Sequence, residues 1–172
     1  MSINPVKGAI EVFLEIKKKL DELKRDDVES KLRARAREIP GMITDIGLIP
    51  TLSFCLAKAG VHNLALVFRW MSDDSKRSYN QNVSTIKPEE LSYALFVYTT
   101  LKYLGRIKGL QFNIEDLKRL SRKDKNEEFI SKLYEYLNIL TQDNKAIIAS
   151  KLLQQYLIQF KRLCEASFKP ER

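Results

Sequence analysis

The stretch that decides the fold runs from Arg33 to Gly60, RARAREIPGMITDIGLIPTLSFCLAKAG. A basic segment opens it, and an uncharged apolar run, Ile46 to Ala57, closes it. Between them Asp45-Ile46-Gly47 marks a turn, because glycine takes the left-handed conformation that ends helices. The pattern predicts two helices meeting at Gly47, the first amphipathic and basic, the second apolar on nearly every side. A helix apolar all round has to be enclosed by other elements. Leu48 to Ala59 is therefore expected at the centre of the fold.

Outward from that pair, apolar residues recur at steps of three and four along the chain, the helical period. Val6, Ile10, Phe13, Ile16, Leu20 and Leu23 define a first helix from about Pro5 to Lys24. A charged turn at Arg25-Asp26-Asp27 follows, with Asp27 expected to cap a helix whose stripe is Leu32, Ala36, Ile39, Ile43 and Ile46. Pro40 lies inside that helix and is expected to kink or break it. Asn63 to Met71 reads as a short apolar helix, and Ser72 to Lys87 as a long irregular stretch. Pro88-Glu89-Glu90 starts a further helix, with Leu91, Ala94 or Leu95, Tyr98 and Leu101 inward. Asn113 caps another, Phe129, Leu133, Tyr136 and Leu140 form the next stripe, and Thr141 and Asp143 offer caps for the last. In that last helix Ala149, Leu152, Tyr156, Phe160 and Leu163 are expected inside. The fold class is all-α: seven or eight helices in one domain, or in two helical subdomains joined by residues 72–87.

The 172 residues, 44% of them hydrophobic and 30% charged, suffice for a real core. Cys55 and Cys164 have no CxxC spacing; both fall in apolar helical surroundings as small buried hydrophobes, and nothing requires them to pair. Acidic residues interrupt the first apolar stretch, unlike a signal peptide, and no apolar run reaches the ~18 residues of a membrane span. A cytoplasmic chain is expected.

Catalytic chemistry is hard to assemble. The one histidine, His62, has no cysteine or carboxylate at ligand spacing, so neither a metal nor a cofactor is expected. The acid pairs Asp26-Asp27, Asp73-Asp74, Glu89-Glu90 and Glu127-Glu128 are neighbours that diverge on a helix, and helix starts and turns explain them. No phosphate-cradling glycine motif is present. The net charge of +8 points instead to an anionic partner, nucleic acid foremost. Two basic clusters are candidates. One comprises Lys31, Arg33, Arg35 and Arg37, joined by Lys58, Lys161 and Arg162 if the last helix packs near the central one. The other is Lys118 to Lys125. Solvated helix exteriors are the alternative, since Glu29, Glu38, Asp124 and Glu165 lie among them.

Arg35-Ala36-Arg37-Glu38-Ile39-Pro40-Gly41-Met42-Ile43, then Gly47-Leu48, Thr51-Leu52-Ser53-Phe54, Lys58 and Gly60, resembles the small subunit of type III-B CRISPR effector (Cmr) complexes. The tail Tyr156 to Ala166, with Lys161-Arg162, is similar to that family's ending. Asp45-Ile46 stands where the family has Asn before the glycine, and Ser53 where it has Ala. The resemblance covers about residues 30–60 and 153–168. It implies a helical protein without activity of its own, several copies stacking head to tail along the effector's backbone subunits, beside crRNA and target RNA. It also implies phosphate contacts at Arg33, Arg37, Lys58, Lys161 and Arg162. The competing reading is an unrelated helical nucleic-acid-binding or protein-interaction module. A helix-turn-helix is disfavoured because the helix after Gly47 is apolar rather than basic.

Overall fold

The computed structural model describes residues 4–72, 78–123 and 125–171, and all regular structure among them is helical. The elements are α1 (Pro5–Leu23), α2 (Asp26–Ile46), α3 (Leu48–Ala59), α4 (Val61–Ser72), α5 (Ser78–Ser84), α6 (Pro88–Leu104), α7 (Ile114–Arg122), α8 (Asn126–Leu140) and α9 (Lys145–Ser167). The all-α class is as the periodicity indicates. Two helix starts carry side-chain caps: Asn4 Oδ1 accepts from the Val6 and Lys7 amides, and Asn113 Oδ1 from the Glu115 amide. Gly47 and Gly60, at φ +94° and +78°, separate α2, α3 and α4, where a side chain would be strained.

The enclosed helix is α6, not α3. Thirteen of the seventeen residues of α6 are buried, and α1, α2, α3, α4 and α9 pack around it. Its sequence hides this because Ser92, Tyr93, Tyr98, Thr99, Thr100 and Tyr103 carry hydroxyls. Much of that polarity is satisfied inside the protein, as buried polar groups must be. Ser92 and Thr100 donate to carbonyls one turn back, Tyr98 donates to Glu15, and Thr99 pairs with Tyr156. The outer side of α3 is open at Pro50, Ser53, Ala57 and Lys58, and Phe54 is 37% exposed.

Several local expectations change, and Val6, Ile10 and Ile46 of the expected stripes are 44%, 39% and 53% exposed. Asp27 does not cap α2; it lies in the first turn and pairs with Arg25, which also holds the Ser84 and Ile86 carbonyls. Pro40 does not break α2, because Ala36, Ile39 and Ile43 are buried along the sides facing α6 and α9, and that packing outweighs one lost backbone hydrogen bond. Within the expected irregular stretch, residues 78–84 form α5, which packs on α4 through Val83, while residues 73–77, including Asp73-Asp74, lie outside the described residues. At the start of α9 neither Thr141 nor Asp143 caps; Asn144 occupies that position in the left-handed conformation, with no side-chain cap.

The inner side of α9 is also rotated from expectation. Ala149, Leu153, Tyr156, Leu157, Phe160 and Cys164 are buried, whereas Leu152 is 42% exposed. Among the described residues no single helix is long and apolar enough to cross a membrane; α3 and α4 qualify only together, bent by 87°.

Candidate nucleic-acid interface

Helices α2 and α9 lie side by side, which puts the first basic cluster beside the helix that carries Lys161 and Arg162. Gln154 donates to Thr44 toward one end of the seam. Arg37 Nε lies 3.3 Å from a Glu165 carboxylate oxygen toward the other. Lys161 is one turn before Glu165 and two turns after Gln154, which puts it on the same seam between these two points.

The cations differ sharply in what they already hold. Arg33 Nη1 donates to the Glu165 carbonyl at 2.9 Å and the Phe168 carbonyl at 2.7 Å, satisfying acceptors at the end of α9 that no helical amide reaches. Arg35 is clamped by Glu38, Glu89 and the Tyr93 hydroxyl, with its guanidinium over the Tyr93 ring. Lys31 pairs with Glu89 and Glu171. Arg37 is freer, its side chain 59% exposed beside Glu165, and it lines an open groove of about 150 Å³ with Ser30, Arg33, Ala34, Pro170 and Glu171.

Lys58 is exposed at the end of α3, its ammonium 5.7 Å from the Phe54 ring centre. It belongs to α3 rather than to the α2–α9 seam. Lys161 is half-buried and Arg162 exposed; neither makes an ion pair or side-chain hydrogen bond among the described residues. The second basic cluster is largely neutralised: Lys118, Arg119 and Lys125 pair with Glu115, Asp116 and Glu128, and Arg122 caps the Ser72 carbonyl. Asp124 of that cluster lies outside the described residues.

Sequence reasoning passed over Lys145 and Lys151, which are also without partners on α9 among the described residues. The signal was present, since no acidic residue occurs from Asn144 to Cys164. Among the described residues no group of three or more His, Cys, Asp or Glu could hold a metal ion. His62 sits exposed at the start of α4, its Nδ1 3.5 Å from the Asn126 amide nitrogen. Both cysteines are free and buried; burial pushes the Cys55 thiol up to about 12, with Arg35 pulling the other way, and raises Cys164 as well. Neither is a nucleophile near neutral pH.

What this arrangement offers is a helical surface that presents cations without side-chain partners among the described residues. Residues 7–166 match the family of CRISPR-associated proteins Cas_Cmr5. The chain belongs to that family. It is 32% identical over 163 residues to the CRISPR system CMR subunit Cmr5 of Saccharolobus solfataricus, an alignment covering 93% of this chain and 90% of that protein. The fold also recurs, at TM-score 0.70 and 23% identity over 99% of this chain, in a subunit of a type III-B Cmr-beta complex bound to non-cognate target RNA. It recurs equally in that complex with cognate target RNA and AMPPnP. The family is the one that the Arg35–Ile43 and Tyr156–Ala166 segments resemble.

Proposed function

We propose that this chain is the non-catalytic small subunit of a type III-B CRISPR RNA-guided effector, acting in antiviral defence in the cytoplasm. The observation that carries the reading is the family match over residues 7–166, nearly the whole described fold. Copies stack head to tail beside the backbone subunits, next to crRNA and target RNA, and cleavage belongs to other subunits. The chain's part is to hold RNA through its phosphates, a grip that is independent of sequence and sensitive to salt.

Lys161 and Arg162 at the end of α9, with Arg37 across the seam and Lys58 on α3, make the phosphate contacts. Arg33 supports them from beneath by fixing the end of α9. Aromatic side chains are mostly inside, so base stacking has no part in recognition. The unpaired state of Lys161 and Arg162 supports this division, because a cation with no internal partner gives up nothing when phosphate arrives.

The test is purification of a tagged copy from its native cells, with mass spectrometry of the partners and sequencing of the bound RNA. Recovery with larger CRISPR subunits and guide RNAs bearing repeat-derived tags is expected. Recovery alone, or with unrelated partners and no guide RNA, overturns the proposal.

A further inference from the structure

Four carboxylates face the cations of α2, and they are not held alike. Glu38 belongs to α2 itself, Glu89 to the first turn of α6 and Glu165 to the last turn of α9. Glu171 belongs to no helix. It meets Lys31 from the segment that leaves α9 at Phe168, where the backbone becomes extended. That segment is firmly anchored up to Phe168 and only slightly beyond it. Phe168 is 2% exposed, its ring centre lies 5.4 Å from that of Phe13, and its carbonyl is held by Arg33. Lys169, Pro170 and Glu171 are exposed, and among the described residues no backbone hydrogen bond holds them. Pro170 has no amide hydrogen to give. The Lys31–Glu171 pair is what ties the segment down.

Beneath these residues lies the groove of about 150 Å³ that Arg37 lines. Ser30, Ala34 and Arg37 follow at steps of four and three, so one side of α2 forms its floor, and Pro170 and Glu171 close its other side. Small side chains at Ser30 and Ala34 let a ligand come close to the helix. The volume, that of about five waters, takes one phosphate group. Arg37 is the exposed cation of the groove, and Lys31 sits at its margin between Glu89 and Glu171. A phosphate oxygen makes the same charge-assisted bond to an ammonium as a carboxylate does.

We propose that this groove is a phosphate subsite for single-stranded RNA and that residues 169–171 are a strap across it. Glu171 holds Lys31 where a phosphate oxygen binds once the strap lifts. The inference rests on the RNA-binding reading above and deepens it, by adding Lys31 to Arg37 and by naming the group that competes with RNA. Lifting costs little, because an exposed ion pair contributes little. Phe168 stays packed with Arg33 on its carbonyl, so the end of α9 is not disturbed. Glu89 remains beside Lys31, but it is shared with Arg35, so the groove gains positive charge when Glu171 departs.

Cutting the segment away would also remove the cation Lys169, so the test changes the carboxylate alone. The full chain and its variants E171Q, K31Q/E171Q and E127Q, each checked for helicity by circular dichroism, are titrated with a fluorescent single-stranded oligouridine at several salt concentrations. E127Q makes the same change of net charge on α8. E171Q is expected to bind about two- to fivefold tighter than E127Q, the range set by one exposed pair. Its plot of log affinity against log salt is expected to steepen by about 0.7, the contribution of one single-strand phosphate. K31Q/E171Q is expected to return to the wild-type affinity. An E171Q no tighter than E127Q, or a gain that survives K31Q, would overturn the strap alone, provided wild type binds RNA and K161E/R162E loses that binding. Absence of RNA binding by wild type and every variant sinks the strap together with the reading beneath it.

Discussion

Helices α2 and α9 are both basic, lie against each other and carry four cations apiece, yet their charges are used differently. On α2, Lys31, Arg33, Arg35 and Arg37 all have internal partners: carboxylates, carbonyls or a tyrosine ring and hydroxyl. On α9, Lys145, Lys151, Lys161 and Arg162 have none among the described residues. Charge density along a sequence therefore does not locate a binding surface; what matters is which charges remain after the fold has used its share. A guanidinium that caps a helix end must break those bonds before it can hold a phosphate, and buried acceptors left behind cost about 1–3 kcal/mol each.

The largest effect that would sharpen this contrast is at Arg35, whose side chain is only 11% exposed and which ties α2 to α6. Arg35→Ala is expected to cost about 2–4 kcal/mol, by the loss of charge-assisted hydrogen bonds and of the packing of a nearly buried guanidinium on Tyr93. Urea denaturation reads it, and a loss below about 0.5 kcal/mol would show that the clamp carries little. Next comes Arg33→Ala, expected to cost about 1–3 kcal/mol and to speed hydrogen exchange at the end of α9, because the Glu165 and Phe168 carbonyls lose their donor. Unchanged exchange there would break the distinction between the two helices. Arg33→Lys should recover only part, since a single ammonium does not reproduce the guanidinium's planar fork.

The double variant K161E/R162E should leave stability within about 0.5 kcal/mol. It should weaken single-stranded RNA binding and lower the salt slope by about one for each phosphate no longer gripped. The smallest effect belongs to Cys55. Its folded pKa is raised by burial, so the folded chain keeps a proton that the unfolded chain releases above the ordinary thiol value of 9.0. The stability contributed by that proton is complete below pH 9 and is lost as pH rises toward about 12. Cys55→Ala should flatten that part of an alkaline denaturation profile; an unchanged slope would assign it to Tyr98, Tyr156 and Cys164.

Helix existence was legible from sequence because the period of three and four persists through nearly every element. Centrality was not. Apolar content singled out α3, but enclosure depends on whether polar atoms find partners, and most of the serine, threonine and tyrosine hydroxyls of α6 find theirs on their own helix, α1, α2 and α9. The inner side of α9 misled for a different reason. Apolar residues occupy both sides of that helix, so a heptad through Leu152 and Leu163 fits as well as the true one through Leu153, Leu157 and Cys164. Of the leftover apolar residues, Leu152 stays largely exposed and Leu163 packs at the edge of the core. At the candidate site, the Arg35–Ile43 and Tyr156–Ala166 segments carried the family, but their spacing could not tell which arginine was already engaged. Arg33 and Arg37 share a helix face in sequence, yet one caps carbonyls and the other lies largely exposed beside Glu165.

The most direct test of this division of labour is to measure folding stability and RNA affinity side by side for R33A/R35A and for K161A/R162A. Both are titrated with single-stranded RNA at two salt concentrations and temperatures where each is folded. The α2 pair should lose stability and retain most of its affinity, while the α9 pair should retain stability and lose affinity together with salt dependence. The reverse pattern, with affinity lost on α2 and stability lost on α9, would contradict the account.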